Sequence, residues 1–522
     1  MTRSTGPGTA AGPGGASTPR LSPISLQVMV GSLRSACDEM GAVLVRSAHS
    51  ANIKERRDAS TALFDRDGQM VMQAEHIPVH LGAMPSAVAA VLGRPQAPGD
   101  AWILNDPFAG GTHLPDITVV SPVFVDDELI GFAASRAHHA DVGAAEPGSM
   151  PAGSRTLADE GVVIPPTRLA RDGEPDRDLL DALTARMRNP REREADLRAQ
   201  LAANRAGASR LRELAHREGV AALRAGMAET LDYAERRTRA KIAALPDGER
   251  GATDVLEAIG GDLELRLRAV VRGDEVELDF SGSADQHDGN LNCPLAVTLS
   301  ACYFALRVIA DPDVPPCAGA YRPLRVSVPD GCLLNAAPPA AVAGGNVETS
   351  SRVADLVLAA FGHALGQGTM NNVTLGNDDF TYYETLGGGQ GACADADGPS
   401  AVHVAMSNTL NTPIEALELE FPLRAVEYSL RRGSGGAGRH RGGDGVTREL
   451  EALAEMRFSL IAERRRHAPP GVAGGDPGKP GRNLLNGADV PSKISGTLAP
   501  GDRLRIETPG GGGYGNPDEG RL

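Results

Sequence analysis

The stretch from Asn105 to His139 constrains the fold most strongly, because its pattern predicts a β-hairpin. The alternating apolar run Ile117–Val125 indicates the first strand, and Glu128–Ala134 indicates the returning strand. The two aspartates at positions 126–127 are typical of a two-residue hairpin turn. A hairpin of this kind brings residues that are distant in sequence to one edge of a sheet.

The predicted turn also sets the register of the two strands. With the two aspartates as the loop, Val125 pairs with Glu128. The same register, continued without interruption, places Asp116 opposite Ala137. The two ends of the stretch are therefore expected to meet.

Metal-binding side chains flank the predicted hairpin. His113 and Asp116 precede the first strand, while His138 and His139 follow the second. Two imidazoles and a carboxylate are donors that suit a catalytic divalent cation with an open coordination position. Each also has an ordinary explanation, since a single histidine is usually solvated or hydrogen-bonded and an aspartate before a strand is often a turn residue. Pro115 excludes regular helical spacing between His113 and Asp116.

Several long motifs follow one another along the chain. They are NIKERRDAS (52–60), HIPVHLGAMP (76–85), NDPFAGGTHLPDIT (105–118), RAHHADVG (136–143), AGGNVETS (343–350), GGGQGA (387–392), SGGAGRHRGGDG (434–445) and TPGGGGYGNP (508–517). Together these motifs resemble the hydantoinase B/oxoprolinase family, and the resemblance covers roughly Leu21 to Pro517. Members of this family are the metal-bearing partner subunits of ATP-dependent cyclic amidases and of acetone-type carboxylases.

The resemblance implies a metal site in the first lobe. We expect His113, Asp116 and His138 to ligate one divalent ion, either zinc or manganese, because both metals accept mixed nitrogen and oxygen donors. Asp58 is a candidate fourth ligand because it lies in a matching motif, although from the residues alone it could equally be a solvated charge.

Other polar residues near these ligands have less definite predicted roles. His139 or Asp141 is the expected catalytic, proton-handling group. His139 could instead orient a ligand imidazole, and Asp141 could instead reach the metal. His76 and His80 are candidates either for packing beneath the site or for contacting the substrate.

The resemblance also implies a two-subunit reaction. A hydantoinase A-type partner is expected to bind ATP and to phosphorylate the carbonyl oxygen of a hydantoin, 5-oxoproline or another lactam. This chain would then hydrolyse the intermediate within a hetero-oligomer such as (αβ)2. The chain has no ATP motif of its own, because the nearest match, GGDPGKPG (474–481), has Pro480 where a phosphate loop needs Ser or Thr. Two alternatives are a carboxylase subunit of the acetone or acetophenone type and a non-catalytic assembly subunit.

Composition limits the class of protein. The 522 residues are too many for one ordinary core, and the net charge of −15 argues against nucleic acid or an anionic membrane surface as a partner. No apolar run approaches the ~20 residues of a membrane helix. Six scattered cysteines without a C-x-x-C pair are typical of reduced thiols, so we expect a cytoplasmic protein.

The predicted fold is α+β (mixed α/β) and multi-lobed, with mixed sheets and one helical excursion. Arg177–Ala244 is the long helical tract, broken at Pro190 and at Gly219. The expected divisions are a disordered tail (1–20), a metal-site lobe (21–176), the helical excursion (177–250), an α/β lobe with the GGNVETS and GGGQG loops (251–420) and a β-rich C-terminal region (421–522).

A second candidate site precedes the helix predicted for Arg352–Leu365. Thr349 or Ser350 is a suitable N-cap for this helix, and flexible glycines lie just before it. Backbone N–H groups at such a helix start could hold a phosphate or a carboxylate, although ordinary capping is the commoner role.

Overall fold

The structure is a computed structural model that describes residues 21–75 and 77–520. The tail predicted for residues 1–20 and the side chain of His76 therefore lie outside the described residues. The helices are α1 (Pro23–Ser47), α2 (Ala51–Lys54), α3 (Ala83–Leu92), α4 (Arg177–Thr184), α5 (Pro190–Glu218), α6 (Val220–Ile242), α7 (Leu295–Ala310), α8 (Ala318–Tyr321), α9 (Ser350–Ala360) and α10 (Ile414–Glu420).

Strands form four sheets in this part of the chain, which confirms the mixed α+β class. The strands are β1 (Ala59–Asp65), β2 (Met70–Glu75), β3 (Ala101–Leu104), β4 (Asp116–Val125), β5 (Glu128–His138), β6 (Thr167–Arg171), β7 (Glu174–Pro175), β8 (Gly248–Ala258), β9 (Gly261–Arg272), β10 (Glu275–Asp279), β11 (Leu324–Ser327), β12 (Asn372–Gly376), β13 (Thr381–Glu384), β14 (Leu423–Arg431), β15 (Gly445–Ala452), β16 (Met456–Ile461), β17 (Arg482–Leu485), β18 (Ala488–Val490), β19 (Lys493–Leu498) and β20 (Arg503–Glu507).

The largest sheet has seven strands in the order β2-β1-β5-β4-β3-β6-β7, and it carries the predicted metal-site residues. The other sheets have the orders β11-β10-β9-β8, β13-β12-β16-β19 and β14-β15-β20-β17-β18. Within the large sheet, the central hairpin is β4 and β5. Each strand of this hairpin is therefore also paired with a further strand, β5 with β1 and β4 with β3.

Helices α1 and α5 cover one face of the large sheet. The Ser22 hydroxyl caps α1 by accepting the Ser25 N–H, and Pro23 occupies the first turn, where a missing N–H costs nothing. The buried stripe of α1 includes Leu33 and Met40, at helical spacing. Gly207 of α5 lies directly against Met40, and a Cβ there would be 2.3 Å from its sulfur.

The helical tract breaks where the sequence predicts. Pro190 begins α5, and Gly219, with a φ of 86°, separates α5 from α6. However, α5 is more buried than its alternating charges indicate. Its residues Gln200 and Asn204 are fully buried and donate to backbone carbonyls of the β4–β5 hairpin. This helix therefore forms part of the wall behind the predicted site.

The hairpin turn is confirmed. Val125 pairs with Glu128, and Asp126 adopts a left-handed conformation with a φ of 50°, which suits a primed turn.

The predicted register is wrong beyond the turn. At a β-bulge, Ile130 of β5 has no opposite residue in β4, and all later pairs shift by one. Asp116 consequently pairs with His138 rather than with Ala137. Gly131 follows the bulge and allows β1 to approach closely, because a Cβ there would be 2.2 Å from the Phe64 carbonyl oxygen.

The predicted cap before α9 is also wrong. One turn of π-helix, Gly345–Thr349, leads directly into α9, and neither Thr349 nor Ser350 caps the helix with its side chain. Instead, the Thr349 hydroxyl donates to the Leu291 carbonyl and the Ser350 hydroxyl donates to the Asn346 carbonyl. Because the whole segment is buried, its N–H groups do not form an exposed anion site.

No helix among the described residues combines the length and the apolar character needed to cross a bilayer.

Candidate metal centre

Three predicted ligands converge at the open end of the hairpin. The distance from His113 Nε2 to Asp116 Oδ1 is 3.0 Å, from His138 Nδ1 to Asp116 Oδ1 is 3.1 Å, and between the two ring nitrogens is 3.2 Å. All three side chains are buried. His113, Asp116 and His138 therefore form a compact group of two imidazole nitrogens and one carboxylate oxygen.

The loop before β4 holds His113 in place. The side chain of Asn105 donates to the carbonyls of Leu114 and Val162, and its oxygen accepts the N–H of Ile164. Gly110 has a φ of 102°, and a Cβ there would lie 2.6 Å from the Ser86 carbonyl oxygen. A glycine is thus required at this bend by a close backbone contact.

Asp116 lies at the centre of the polar contacts. Its Oδ2 accepts a hydrogen bond of 2.6 Å from the Thr112 hydroxyl and lies 3.4 Å from His80 Nε2. Burial alone would raise the pKa of Asp116, but the charge and hydrogen bonds of His113, with those of His138 and His80, hold it well below its usual value. The carboxylate is therefore ionised and ready to bind a cation.

The two imidazoles suit metal binding. Burial lowers the pKa of His138, against the opposing effects of Asp116 and Asp58, so the ring favours the neutral form that a ligand needs. Donors that share one ion at about 2.0–2.2 Å lie roughly 3.0–3.5 Å from one another, which is the spacing seen here. The far ring nitrogens, Nδ1 of His113 and Nε2 of His138, have no hydrogen-bond partner among the described residues.

Asp58 lies next to the end of β5, and its side chain is not among the three donors that converge in this structure. Its backbone carbonyl accepts the N–H of His138, because β1 begins at the next residue and pairs with β5. Burial lowers the pKa of His138, and the charge of Asp58 opposes this shift. The converging donor atoms are those of His113, Asp116 and His138, so a role for Asp58 as fourth ligand stays a prediction.

His139 and Asp141 point to other partners. His139 Nε2 lies 3.0 Å from the Gln200 side-chain oxygen, and burial lowers the pKa of this histidine to about 4. Asp141 accepts hydrogen bonds from the backbone of Gly143 and Gly148 and from the Arg188 guanidinium. The predicted catalytic role of either residue remains a prediction.

Two further residues contact the site and were not predicted. The ring of Tyr383 stacks on His138 with 4.4 Å between centroids, and the Arg56 guanidinium lies 4.7 Å from the centre of the same tyrosine ring. Arg56 also donates to the Tyr383 carbonyl. Arg56 belongs to the motif NIKERRDAS, so the family resemblance indicates its region as part of the site. Nothing in the local sequence distinguishes Tyr383.

His80 packs beneath the site, which is one of the two roles predicted for it. Its Nδ1 lies 2.9 Å from the Ser60 hydroxyl, while its Nε2 faces Asp116. Its ring is fully buried. The histidine therefore links β1 to the ligand carboxylate.

Comparison with known proteins agrees with the family that the sequence motifs indicate. The family model described as hydantoinase B/oxoprolinase matches residues 22–517. A 5-oxoprolinase from Dictyostelium discoideum is 38% identical over 96% of this chain, and the chain spans 41% of that relative's length.

Two solved structures share the fold. The ATP-dependent caprolactamase from Pseudomonas jessenii has a TM-score of 0.88 and 30% sequence identity, with 95% of this chain and 92% of that chain covered. An acetone carboxylase in its nucleotide-free form has a TM-score of 0.85 at 18% identity, covering 95% of this chain and 76% of that chain. The second likeness is one of fold alone.

Proposed function

The chain belongs to the hydantoinase B/oxoprolinase family, and from that premise we propose that it is the metal-bearing component of an ATP-dependent enzyme that hydrolyses a cyclic amide. The observation that carries the proposal is the convergence of His113, Asp116 and His138 to donor distances of 3.0–3.2 Å. The similarity to a caprolactamase and to a 5-oxoprolinase supports a ring amide as the substrate class.

A partner of the hydantoinase A type supplies the ATP chemistry in this proposal. An amide is a poor electrophile, and phosphorylation of its carbonyl oxygen turns that oxygen into a leaving group. The partner binds ATP and carries out this step, and the intermediate reaches the present chain within a hetero-oligomer such as (αβ)2. One observation supports the division: the given sequence contains no phosphate-loop motif.

His113, Asp116 and His138 would hold the divalent ion, zinc or manganese, with Asp58 as the fourth ligand. When bound, such an ion polarises the reacting centre and supplies hydroxide at neutral pH, because coordination lowers the pKa of water to about 7. The donor set fits either metal, since both accept imidazole and carboxylate.

The chain's own residues orient this donor set. Thr112 and His80 hold the second oxygen of Asp116, which leaves Oδ1 directed at the two imidazoles. Tyr383 limits rotation of the His138 ring by stacking on it.

His139 is our proposed proton acceptor. Its Nδ1 has no hydrogen-bond partner among the described residues, so this nitrogen can accept a proton. Asp141 is proposed to support proton handling indirectly, because it fixes the loop that follows His139 through its bonds to Gly143, Gly148 and Arg188.

The test uses His113→Ala and His138→Ala in complex with the partner. We expect both variants to lose metal content and ATP-dependent ring opening, measured by elemental analysis and by product formation. His216→Ala, at an exposed position on α5, is the matched control and should retain both. Full metal occupancy and a normal rate in both site variants would end the proposal.

Two alternatives are separated by further measurements. The chain is 30% identical to the caprolactamase and 38% identical to the 5-oxoprolinase, whereas its likeness to the acetone carboxylase is one of fold alone, which favours hydrolysis over carboxylation. ATP turnover that depends on bicarbonate would reverse this choice. If chelation unfolds the chain, yet metal-free refolded complex still turns over, the protein is instead an assembly subunit.

A further inference from the structure

The π-helical turn Gly345–Thr349 contains a buried carboxyl group that the proposed metal site does not use. The side chain of Glu348 has no exposed surface. Its Oε1 accepts hydrogen bonds of 3.2 Å from the Met370 N–H and from the Asn372 amide, while its Oε2 has no hydrogen-bond partner among the described residues. An unsatisfied buried oxygen is costly, and π-helical turns are frequent at functional sites.

Glu348 is connected to the metal group through two residues. The Asn372 amide donates to Glu348, and its oxygen accepts a 2.8 Å hydrogen bond from the Tyr383 hydroxyl. The ring of the same tyrosine stacks on His138. Burial is the main cause of the raised pKa of Tyr383, and the charge of Glu348 makes a smaller contribution in the same direction. The carboxyl group is thus close to the ligands without being one of them.

On its other side, the π-helical turn borders a cavity of about 380 Å³. Asn290 and Leu291 line this cavity, and their carbonyls accept hydrogen bonds from the Gly345 N–H and the Thr349 hydroxyl. Ser154, another lining residue, donates a hydrogen bond to Glu160. The cavity therefore lies beside the π-helical turn that carries Glu348, and none of its lining residues is one of the three metal donors.

Burial, with the charge of Glu463, favours the protonated form of Glu348. Burial and the charge of Glu463 raise its pKa to about 7, against opposing effects from Lys493, the Thr369 hydroxyl and the Met370 N–H. Arg465 and Tyr383 also lie within electrostatic range. Near pH 7 the carboxyl group is thus able both to give and to regain a proton.

We propose that Glu348 is a catalytic residue that protonates the leaving nitrogen of the ring amide. The inference rests on the proposed function. Once water has added to the phosphorylated amide carbon, the ring C–N bond breaks and its electron pair stays on nitrogen. The Glu348 carboxyl proton moves to that nitrogen, which leaves as the amine. The hydroxyl of the adduct then gives its proton to the carboxylate, which restores the acid and leaves an acyl phosphate for hydrolysis.

Glu348→Gln in complex with the partner tests this role. The substitution keeps the shape of the side chain and an acceptor for the Met370 N–H, but it removes the transferable proton. We expect amine release to fall about 100-fold or more, with unchanged metal content, because general acid catalysis contributes at least that much. We expect ATP consumption per amine released to rise, because phosphorylation continues on the partner. The loss of wild-type rate above pH 7 should disappear.

Glu160→Gln is the matched control. Glu160 is equally buried and has a pKa raised to about 7, but its oxygens accept hydrogen bonds from the Val342 and Ala343 N–H groups and from Ser154. This variant should keep the wild-type ratio of ATP consumed to amine released. If Glu348→Gln does not fold, Glu348→Asp is used, and the high-pH limb of its rate profile should move relative to wild type.

The outcomes separate the two proposals. If the wild-type complex releases no amine from any ring amide, the proposed function fails and this role fails with it. If the wild-type complex is active but Glu348→Gln keeps both its rate and its ATP-to-amine ratio, only the role of Glu348 is overturned. The same conclusion holds if rate and ATP use fall together, or if Glu348→Asp keeps the wild-type pH profile.

Discussion

Asp116 and His138 face each other across the β4–β5 hairpin, with 3.1 Å between Oδ1 and Nδ1, and a single extra residue in β5 creates this pairing. Side chains alternate between the two faces of a strand. Without the bulge at Ile130, Ala137 would lie opposite Asp116, and the His138 ring would project from the other face of the sheet. The site therefore depends on an irregularity in the sheet as much as on the ligands themselves.

Asp116→Asn should abolish tight metal binding while leaving the fold intact. The change removes the only negative charge in the converging group of described residues and directs an amide N–H₂ toward the imidazoles. Because changes even outside the ligand shell cost 10- to 100-fold in metal affinity, we expect a loss of at least about 100-fold. Titration with zinc and with manganese, followed by elemental analysis, measures this loss.

Thermal unfolding provides a second readout for the same variant. A metal that binds only the folded state stabilises it by about 2.7 kcal/mol at 100 times its Kd. The wild-type melting temperature should therefore rise with added metal, whereas that of Asp116→Asn should not. Asp127→Asn, at the exposed turn of the same hairpin, should keep the full metal-dependent rise. A metal-dependent rise of wild-type size in Asp116→Asn would contradict the assignment.

Local pattern was sufficient to predict the hairpin and its ligands. The apolar alternation and the two aspartates correctly predict that β4 ends at Val125 and β5 begins at Glu128, whereas β5 extends to His138 and not only to Ala134 as predicted. The turn residues set the register only next to the turn, so the bulge at Ile130 could not be predicted from them. The close approach of β1 at Gly131 is a tertiary contact and could not be predicted either. A register error of one residue moves a side chain to the opposite face of the sheet.

The contacts that orient the ligands could not be predicted, because their partners are distant in sequence. Tyr383 is placed on His138 by the pairing of β12 and β13, in a different sheet. Gln200 reaches the hairpin from the middle of α5, where a polar residue usually indicates a solvated face. Glu348 lay within a recognised motif, but helix capping was the commoner explanation for that segment.

Substitution of Tyr383 should separate its ring from its hydroxyl. Tyr383→Phe keeps the stacking on His138 and the contact with Arg56, but it loses the hydrogen bond to Asn372. The free energy of unfolding should therefore fall by about 1 kcal/mol, with little change in metal affinity. Tyr383→Ala also removes the ring and should cost about 3–5 kcal/mol and weaken metal binding. Urea unfolding and metal titration of the two variants, side by side, measure both effects. Equal metal affinity in Tyr383→Ala and wild type would show that the ring does not orient His138.

Gln200→Leu should destabilise the packing of α5 on the site. The side-chain amide of Gln200 donates to the carbonyl of Ile117 at 2.9 Å, and its oxygen lies 3.0 Å from His139 Nε2. Both partner residues are buried. Because the variant leaves these groups unpaired, we expect a loss of about 1–3 kcal/mol in urea unfolding. Ser209→Ala, on the exposed face of the same helix, should change stability by less than about 0.5 kcal/mol. A loss in Gln200→Leu no larger than in this control would show that the bonds contribute little.

Glu160→Gln should flatten the dependence of stability on pH. Burial raises the pKa of Glu160 from 4.5 to about 7, although the N–H groups of Ala343 and Val342 and the Ser154 hydroxyl oppose the shift. Between these two pH values the folded chain keeps a proton that the unfolded chain releases. The contribution of Glu160 to the free energy of unfolding is therefore fully present below pH 4.5 and is lost as the pH rises through 7. Replacing Glu160 should make the slope of the free energy of unfolding against pH less negative by up to about 1.4 kcal/mol per pH unit in this window. Urea unfolding of both proteins from pH 4.5 to 8 measures the slopes, and identical slopes would show that Glu160 does not hold its proton in the folded state.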